Sequence, residues 1–157
     1  TAKRNLSPEE LRHIFTADVP TWQRKYIDAF RLSFYLIGIN MADLLALTPD
    51  NVQQGRIVYT RRKTHRLYSV KIEPEAQDIL DTYKGERLLL SWAENCEDYR
   101  HFANRCNHNL GTIRAGLTTY WARHSWATIA ASLDIPEDTI ALALGHSSAH
   151  TTTAIYI

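Results

Sequence analysis

A chain of 157 residues is the size of one domain and can bury an ordinary core without disulfide or metal staples. Its 45% hydrophobic and 22% charged residues exclude the disordered, collagen-like and disulfide-scaffold classes. With 18 basic against 17 acidic residues the net charge is +1, so whole-chain charge does not announce a nucleic-acid binder.

In chain order, Ser7-Pro8-Glu9-Glu10 is the pattern of a capping box with proline at the first helical position, so a helix starts near Pro8. After Asp18-Val19-Pro20 the spacing of Tyr26, Phe30, Phe34 and Ile37 predicts a buried helix over 21–37, ended by Gly38. A short apolar helix is predicted over 41–47, stopped by Thr48-Pro49-Asp50. Residues 56–61 and 67–72 are rich in β-branched and aromatic types and flank a short basic connection, which predicts a β-hairpin. Helices follow at 74–83, 97–110, 121–133, 136–144 and from 149 onward, with a loop around Gly85. The fold class is therefore mainly α with a small antiparallel sheet, in one domain spanning 1–157.

No run approaches ~18 uncharged apolar residues, and no apolar stretch backs the polar residues 1–5, so neither a membrane span nor a signal peptide is read. The expected compartment is the cytoplasm. Cys96 and Cys106 stand in no metal-ligand spacing and read as reduced thiols. His101, His108 and His150 likewise show no ligand spacing and read as surface residues, while Trp121 and Trp126 read as packing.

Local charge says more than the total. Between positions 56 and 71 stand Arg56, Arg61, Arg62, Lys63, Arg66 and Lys71, with His65 among them and no acidic residue. Such a stripe either neutralises phosphates or forms a solvated strand face.

The last forty residues carry Tyr120-Trp121-Ala122-Arg123-His124-Ser125, then Leu144-Gly145-His146-Ser147, then Tyr156 ten residues after that histidine. In order and spacing these resemble the C-terminal signature of the tyrosine recombinases, the phage-integrase family. Leu6-Ser7-Pro8-Glu9-Glu10-Leu11 is similar to the start of that family's catalytic domain, and Lys63-Thr64 to its hairpin lysine. The resemblance covers essentially the whole chain. It implies the fold of that catalytic domain and a DNA-cutting and rejoining activity through a covalent 3′-phosphotyrosine.

The residue types suit that chemistry. A phenol, with a pKa near ~10, leaves more readily than a sugar hydroxyl, so a phosphotyrosine link is reversible; Tyr156 is the expected nucleophile. Arg123 offers a permanently charged planar fork for two phosphate oxygens. His146 can donate a hydrogen bond to the phosphate, and the resemblance implies that Lys63 protonates the departing 5′ oxygen. Neither a metal nor any other cofactor is expected, since the chain shows no clustered carboxylate set. Arg61, Arg62, Lys63 and Arg66 are the expected DNA-contacting residues.

Two positions depart from the family pattern. Tyr120 stands where histidine is usual; a phenol can hydrogen-bond the phosphate but is a poor base near neutral pH. At Gly38-Ile39-Asn40, Asn40 replaces the family's first catalytic arginine and carries no charge. Arg31 is the nearest replacement cation by sequence, beside Arg24 and Arg61, and Arg31 reads equally as an exposed helix arginine. Asp43 matches an acidic residue that braces the site in the family, or caps the short helix. His124, next to Arg123, reads as a buried orienting residue rather than a catalytic one.

The resemblance further implies a fragment of a longer integrase, without its N-terminal DNA-binding domain and C-terminal tail, monomeric and binding DNA weakly by itself. Double-stranded attachment sites and, at full length, other protomers in a tetrameric synapse are the implied partners, with a nucleoid-associated location and no membrane. Tyr120-X-X-Arg123 with Gly38-Ile39-Asn40 is similar to mobile-element integrases of the Bacteroides group. The alternative is a DNA-binding domain of the same fold, impaired in catalysis through Asn40, with a regulatory or architectural role.

Overall fold

The computed structural model describes residues 6–95, 98–132 and 143, together with the backbone of 155–156. The first helix, α1 (Pro8–Phe15), begins at the expected capping box: Ser7 Oγ accepts from the Glu10 amide and Glu10 Oε1 from the Ser7 amide, each at 3.1 Å. Leu6, just before it, is anchored to the far end of the domain, its amide donating to Ser125 Oγ at 3.0 Å in full burial.

Helix α2 (Thr21–Tyr35) buries Tyr26, Ile27, Ala29, Phe30 and Leu32. It stops two residues before the predicted end at 37. The amide of Gly38 donates to Ser33 O at 2.7 Å and that of Ile37 to Phe34 O at 3.1 Å, the paired bonds of a Schellman stop. Both Ile37 and Gly38 have positive φ, 63° and 73°. Helical spacing extends through Ile37, but its backbone has already turned left-handed.

Helix α3 (Met41–Leu44) is also shorter than predicted. The Leu47 carbonyl is taken by the Leu89 amide at 2.8 Å, and a 3-10 turn at Pro49–Asn51 follows at once. The sheet has four strands in the order β1 (Val52–Gln53), β2 (Arg56–Thr60), β3 (Leu67–Lys71) and β4 (Ile155–Tyr156). The β2–β3 hairpin is the predicted one, with Tyr59 opposite Tyr68; β1 is an addition, antiparallel to β2.

The expectation of helix from 149 onward is corrected at the chain's end. Ile155 and Tyr156 form a strand parallel to β3, in register with Tyr68 and Ser69. Thr151-Thr152-Thr153 and Ile155 make this segment β-branched, and the outer edge of β3 supplies unpaired backbone groups for it to satisfy. Of the helix predicted over 136–144 only Ala143 is described, as helical and buried.

Helix α4 (Pro74–Thr82) leads into a loop organised by Glu94, whose carboxylate accepts from the amides of Glu86, Arg87 and Leu88 at 2.6–3.1 Å. Helix α5 (Tyr99–Ile113) starts at Asp98, which caps the Arg100 amide at 2.9 Å, and α6 (Tyr120–Ser132) carries the signature residues. Phe30, Leu32, Leu44, Ile57, Leu110 and Leu117 are all essentially inaccessible and join the helices to one face of the sheet. Burying each such side chain contributes about 1.5–3 kcal/mol before the entropy of ordering is subtracted.

Cys106 is fully buried, and burial pushes its thiol up to about 12, which leaves it inert; Cys96 lies outside the described residues. His101 and His108 are exposed as expected, His150 lies outside the described residues, and both Trp121 and Trp126 are partly buried in packing. Among the described residues no helix is long and apolar enough to cross a membrane.

Candidate active site

The first turns of α6 put Tyr120, Arg123 and His124 on one face, three and four residues apart. Tyr120 is 47% exposed and meets His124 edge-on, ring centroids 4.6 Å apart. Arg123 is half-buried, its Nη1 donating to Gly38 O at 3.4 Å. Thus α6 and the turn carrying Asn40 are packed directly together. A Cβ on Gly38 would lie 2.5 Å from the Arg123 Cα, so glycine is what lets the two backbones approach.

Asn40 is the N-cap residue of α3, extended at φ −70° and ψ 150°, and its side chain makes no capping bond. The residue is half-buried. Asp43, one turn on and only 6% exposed, does not cap α3; its Oδ1 accepts from the Arg62 amide at 3.1 Å. The contact fastens the hairpin to α3.

The hairpin connection is closed by Arg61 N to Arg66 O and His65 N to Arg61 O, both 2.8 Å, with His65 left-handed at φ 59°. The turn divides the basic stripe. Arg62 and Lys63 stand exposed at the tip, while Arg61 is turned inward with only 9% exposure. Arg56 is locked across the hairpin onto Ser69 Oγ and O at 2.7 and 2.9 Å, and Lys71 lies 3.9 Å from Glu73. The exposed basic face is consequently shorter than the sequence stripe.

Electrostatics join these groups. Burial, and next the like charge of Arg61, hold the Arg123 guanidinium below its usual range, with the phenols of Tyr68, Tyr59 and Tyr120 opposing. Burial and then the Asp43 carboxylate push the Tyr59 phenol up, while Arg123 and Arg61 pull it down. Tyr59 stacks on Tyr68 at 5.3 Å and 14°, and both phenols lie within electrostatic reach of Arg123. The Tyr68 hydroxyl is buried and has no hydrogen-bond partner among the described residues. Position 156 comes to this sheet by backbone pairing beside Ser69, one residue from Tyr68.

Arg31 is engaged elsewhere. Its Nη1 meets Asp28 Oδ1 at 3.0 Å, and its guanidinium lies 5.8 and 5.7 Å from the ring centres of Phe15 and Tyr35. Burial works against its charge, but hydrogen bonds to Tyr35 and Asp28 outweigh it. Arg24 shares Asp28 at 3.3 Å and donates to Phe15 O at 2.6 Å. The structure thus brings together Arg123, Tyr120, His124, Asn40, Asp43, Arg61 and the hairpin of Lys63, and sets Arg24 and Arg31 around Asp28. His146 and the side chain of Tyr156 lie outside the described residues. The stacking of Tyr59 on Tyr68 was not anticipated, although both residues carry the strand signal.

No family model matches the chain, and no curated protein does. Solved structures do. The lambda integrase catalytic core matches with a TM-score of 0.69 at 14% identity, over 98% of this chain and 98% of that one. The Tn1549 transposon integrase in complex with transposon right end DNA matches at 0.70 and 15%, over 96% and 63% of the two chains. The XerH site-specific recombinase bound to difH substrate matches at 0.64 and 16%, over 92% of this chain. This chain spans about half the length of the Holliday-junction-bound lambda integrase and of XerH, 47% in each case. The fold is that of the integrase catalytic domain, and the Tn1549 integrase and XerH structures among these neighbours hold their DNA substrates.

Proposed function

We propose that this chain is the catalytic domain of a site-specific tyrosine recombinase that cuts and rejoins DNA without metal or nucleotide. The observation that supports the reading best is the convergence of three separate segments. Arg123 enters from α6, the Lys63 hairpin is braced to α3 by Asp43, and β4 carries position 156 to the same sheet.

In this reading the Tyr156 phenolic oxygen attacks the scissile phosphorus and the bond from phosphorus to the 5′ oxygen breaks. The phenolic proton passes to solvent, and the Lys63 ammonium protonates the departing oxygen and recovers its proton from solvent. Arg123, His146 and Tyr120 hold the phosphoryl oxygens, where preorganised donors lower the barrier most. His124 orients Arg123 and Tyr120 along α6. Exposed Arg62 and Lys63, with half-buried Arg66, face the DNA backbone at the hairpin.

The wider assignment follows the same reading: a catalytic piece of a longer integrase of a mobile genetic element, similar to those of the Bacteroides group. It acts in the cytoplasm on the nucleoid, on double-stranded attachment sites and as one protomer of a tetrameric synapse. The test is a nicked suicide duplex incubated in EDTA with the full-length protein and resolved on a denaturing gel. A protease-sensitive covalent band that Tyr156→Phe abolishes, with binding retained, is expected. Binding with no covalent band would instead identify a DNA-binding domain without catalysis.

A further inference from the structure

Replacement of the first catalytic arginine by Asn40 leaves a charge problem. Phosphoryl transfer places negative charge on oxygens that a neutral amide stabilises poorly, and removing one such donor costs on the order of 100- to 1,000-fold in rate. A second cation is needed at the same place, arriving from another element.

Arg61 has the required position. It is 9% exposed, although it sits in a hairpin connection whose neighbours Arg62 and Lys63 are open to solvent. Its backbone is bonded on both sides, to Arg66 and His65, so its direction is set by the turn. Arg62, the next residue, is fastened to Asp43, three residues beyond Asn40 on α3. Arg123, which must reach the phosphate, is fastened to Gly38, two residues before Asn40. Asn40 therefore lies between the two attachment points that position these arginines.

A buried and a half-buried guanidinium close enough to repel are costly to assemble, and such pairs are found where an anion binds. The like charge of Arg61 is felt at Arg123. The described members of the cluster are two guanidiniums, one carboxylate and two phenols, one of which, Tyr68, has a buried hydroxyl with no partner among the described residues. A phosphodiester, carrying one negative charge and two non-bridging oxygens, would relieve the repulsion between the two guanidiniums and offer the hydroxyl an acceptor. Arg31 and Arg24, by contrast, converge on Asp28.

We propose that Arg61 replaces the cation missing at Asn40, clamping the scissile phosphate jointly with Arg123. The inference rests on the recombinase reading and assigns a catalytic residue within it.

The experiment uses the full-length protein and a nicked suicide duplex built on the sequence that it selects from a random pool. The duplex is made once with an ordinary scissile phosphate and once with a neutral methylphosphonate there. On phosphate, Arg61→Ala is expected to slow single-turnover formation of the covalent adduct by about 100-fold or more, with Arg61→Lys intermediate. On methylphosphonate, where the charge to be clamped is gone, the deficit of Arg61→Ala should shrink at least ~10-fold, as should that of Arg123→Ala. Lys63→Ala serves as the contrast and should gain no such relief, because the leaving oxygen is unchanged.

An equal deficit of Arg61→Ala on both duplexes, which a folding defect would also give, or no deficit on phosphate, overturns the assignment. The unaltered protein reports separately: with no adduct from it on either duplex, the recombinase reading falls, and the role of Arg61 falls with it.

Discussion

Gly38 and Arg123 are packed backbone to backbone, the guanidinium of one returning to the carbonyl of the other at 3.4 Å. The contact ties the stop of α2 to the first turns of α6, across 85 residues of chain. Gly38→Ala meets two obstacles there: a positive φ of 73° and a Cβ 2.5 Å from the Arg123 Cα. Left-handed strain and overpacking together should cost about 2–4 kcal/mol. Urea unfolding should show a lower midpoint with unchanged slope, and a midpoint equal to that of the parent would contradict the packing.

Asp43 should behave as a brace. Asp43→Ala strands the Arg62 amide in a partly buried site and should destabilise by about 1–3 kcal/mol. Asp43→Asn keeps an acceptor oxygen and should cost less. Hydrogen exchange separates the cases: the Arg62 amide should exchange faster in the alanine variant than in the asparagine variant. Equal exchange in the two would mean that the 3.1 Å bond does not hold the hairpin.

Ser125 closes the domain at its other end. Its hydroxyl satisfies the Leu6 amide where both residues are fully buried. Ser125→Ala leaves a buried donor unmatched, at a cost of about 1–3 kcal/mol, while Ser125→Thr retains the hydroxyl at the expense of crowding. Amide exchange at Leu6 should accelerate in the alanine variant, whereas protection as in the parent would indicate another acceptor.

Arg31 tests the division of labour among the cations. Arg31→Met removes a hydrogen bond to the buried Asp28 carboxylate, which also accepts from Tyr83 Oη at 2.6 Å. Stability should fall by about 1.5–3 kcal/mol, while the rate of adduct formation in folded protein stays within about 2-fold of the parent. A large loss of rate with little loss of stability would move the second cation from Arg61 to Arg31.

How far the sequence could be read differs by kind of feature. The capping box at Ser7 and the hairpin at 56–72 were legible because caps and β-branched alternation are local signals. The end of α2 was not, since Ile37 fits the helical spacing and only the Schellman bonds from Ile37 and Gly38 reveal the stop. The strand at Ile155–Tyr156 needs a partner 87 residues away, Tyr68 or Ser69, which periodicity cannot supply. At the site, the stripe was visible as charge but not as direction: Arg61, Arg62 and Lys63 are consecutive cations, and the turn alone decides that the first faces inward. Chain order likewise favoured Arg31 over Arg61 as the nearer cation to Asn40, whereas in space Arg31 belongs to Asp28.

The acid limb of stability should follow carboxylates far from the site. Hydrogen bonds to the Arg100 side chain and amide hold Asp98 down at about 2, and the amides of Glu86, Arg87 and Leu88 hold Glu94 below its usual range. Glu10 is lowered in the same way by the Ser7 amide and by Arg114. A carboxyl with a depressed folded pKa binds protons more readily in the unfolded chain. Its contribution is thus fully present above the ordinary carboxyl range and is lost as pH falls through the folded value. Tm should be level near neutrality and fall progressively from about pH 5 toward pH 2. Asp98→Asn removes one of these titrations, so its Tm should lie below that of the parent at pH 7 and the gap should narrow toward pH 2. A gap that stays constant across that interval would show that Asp98 supports α5 through the geometry of its cap and not through its charge.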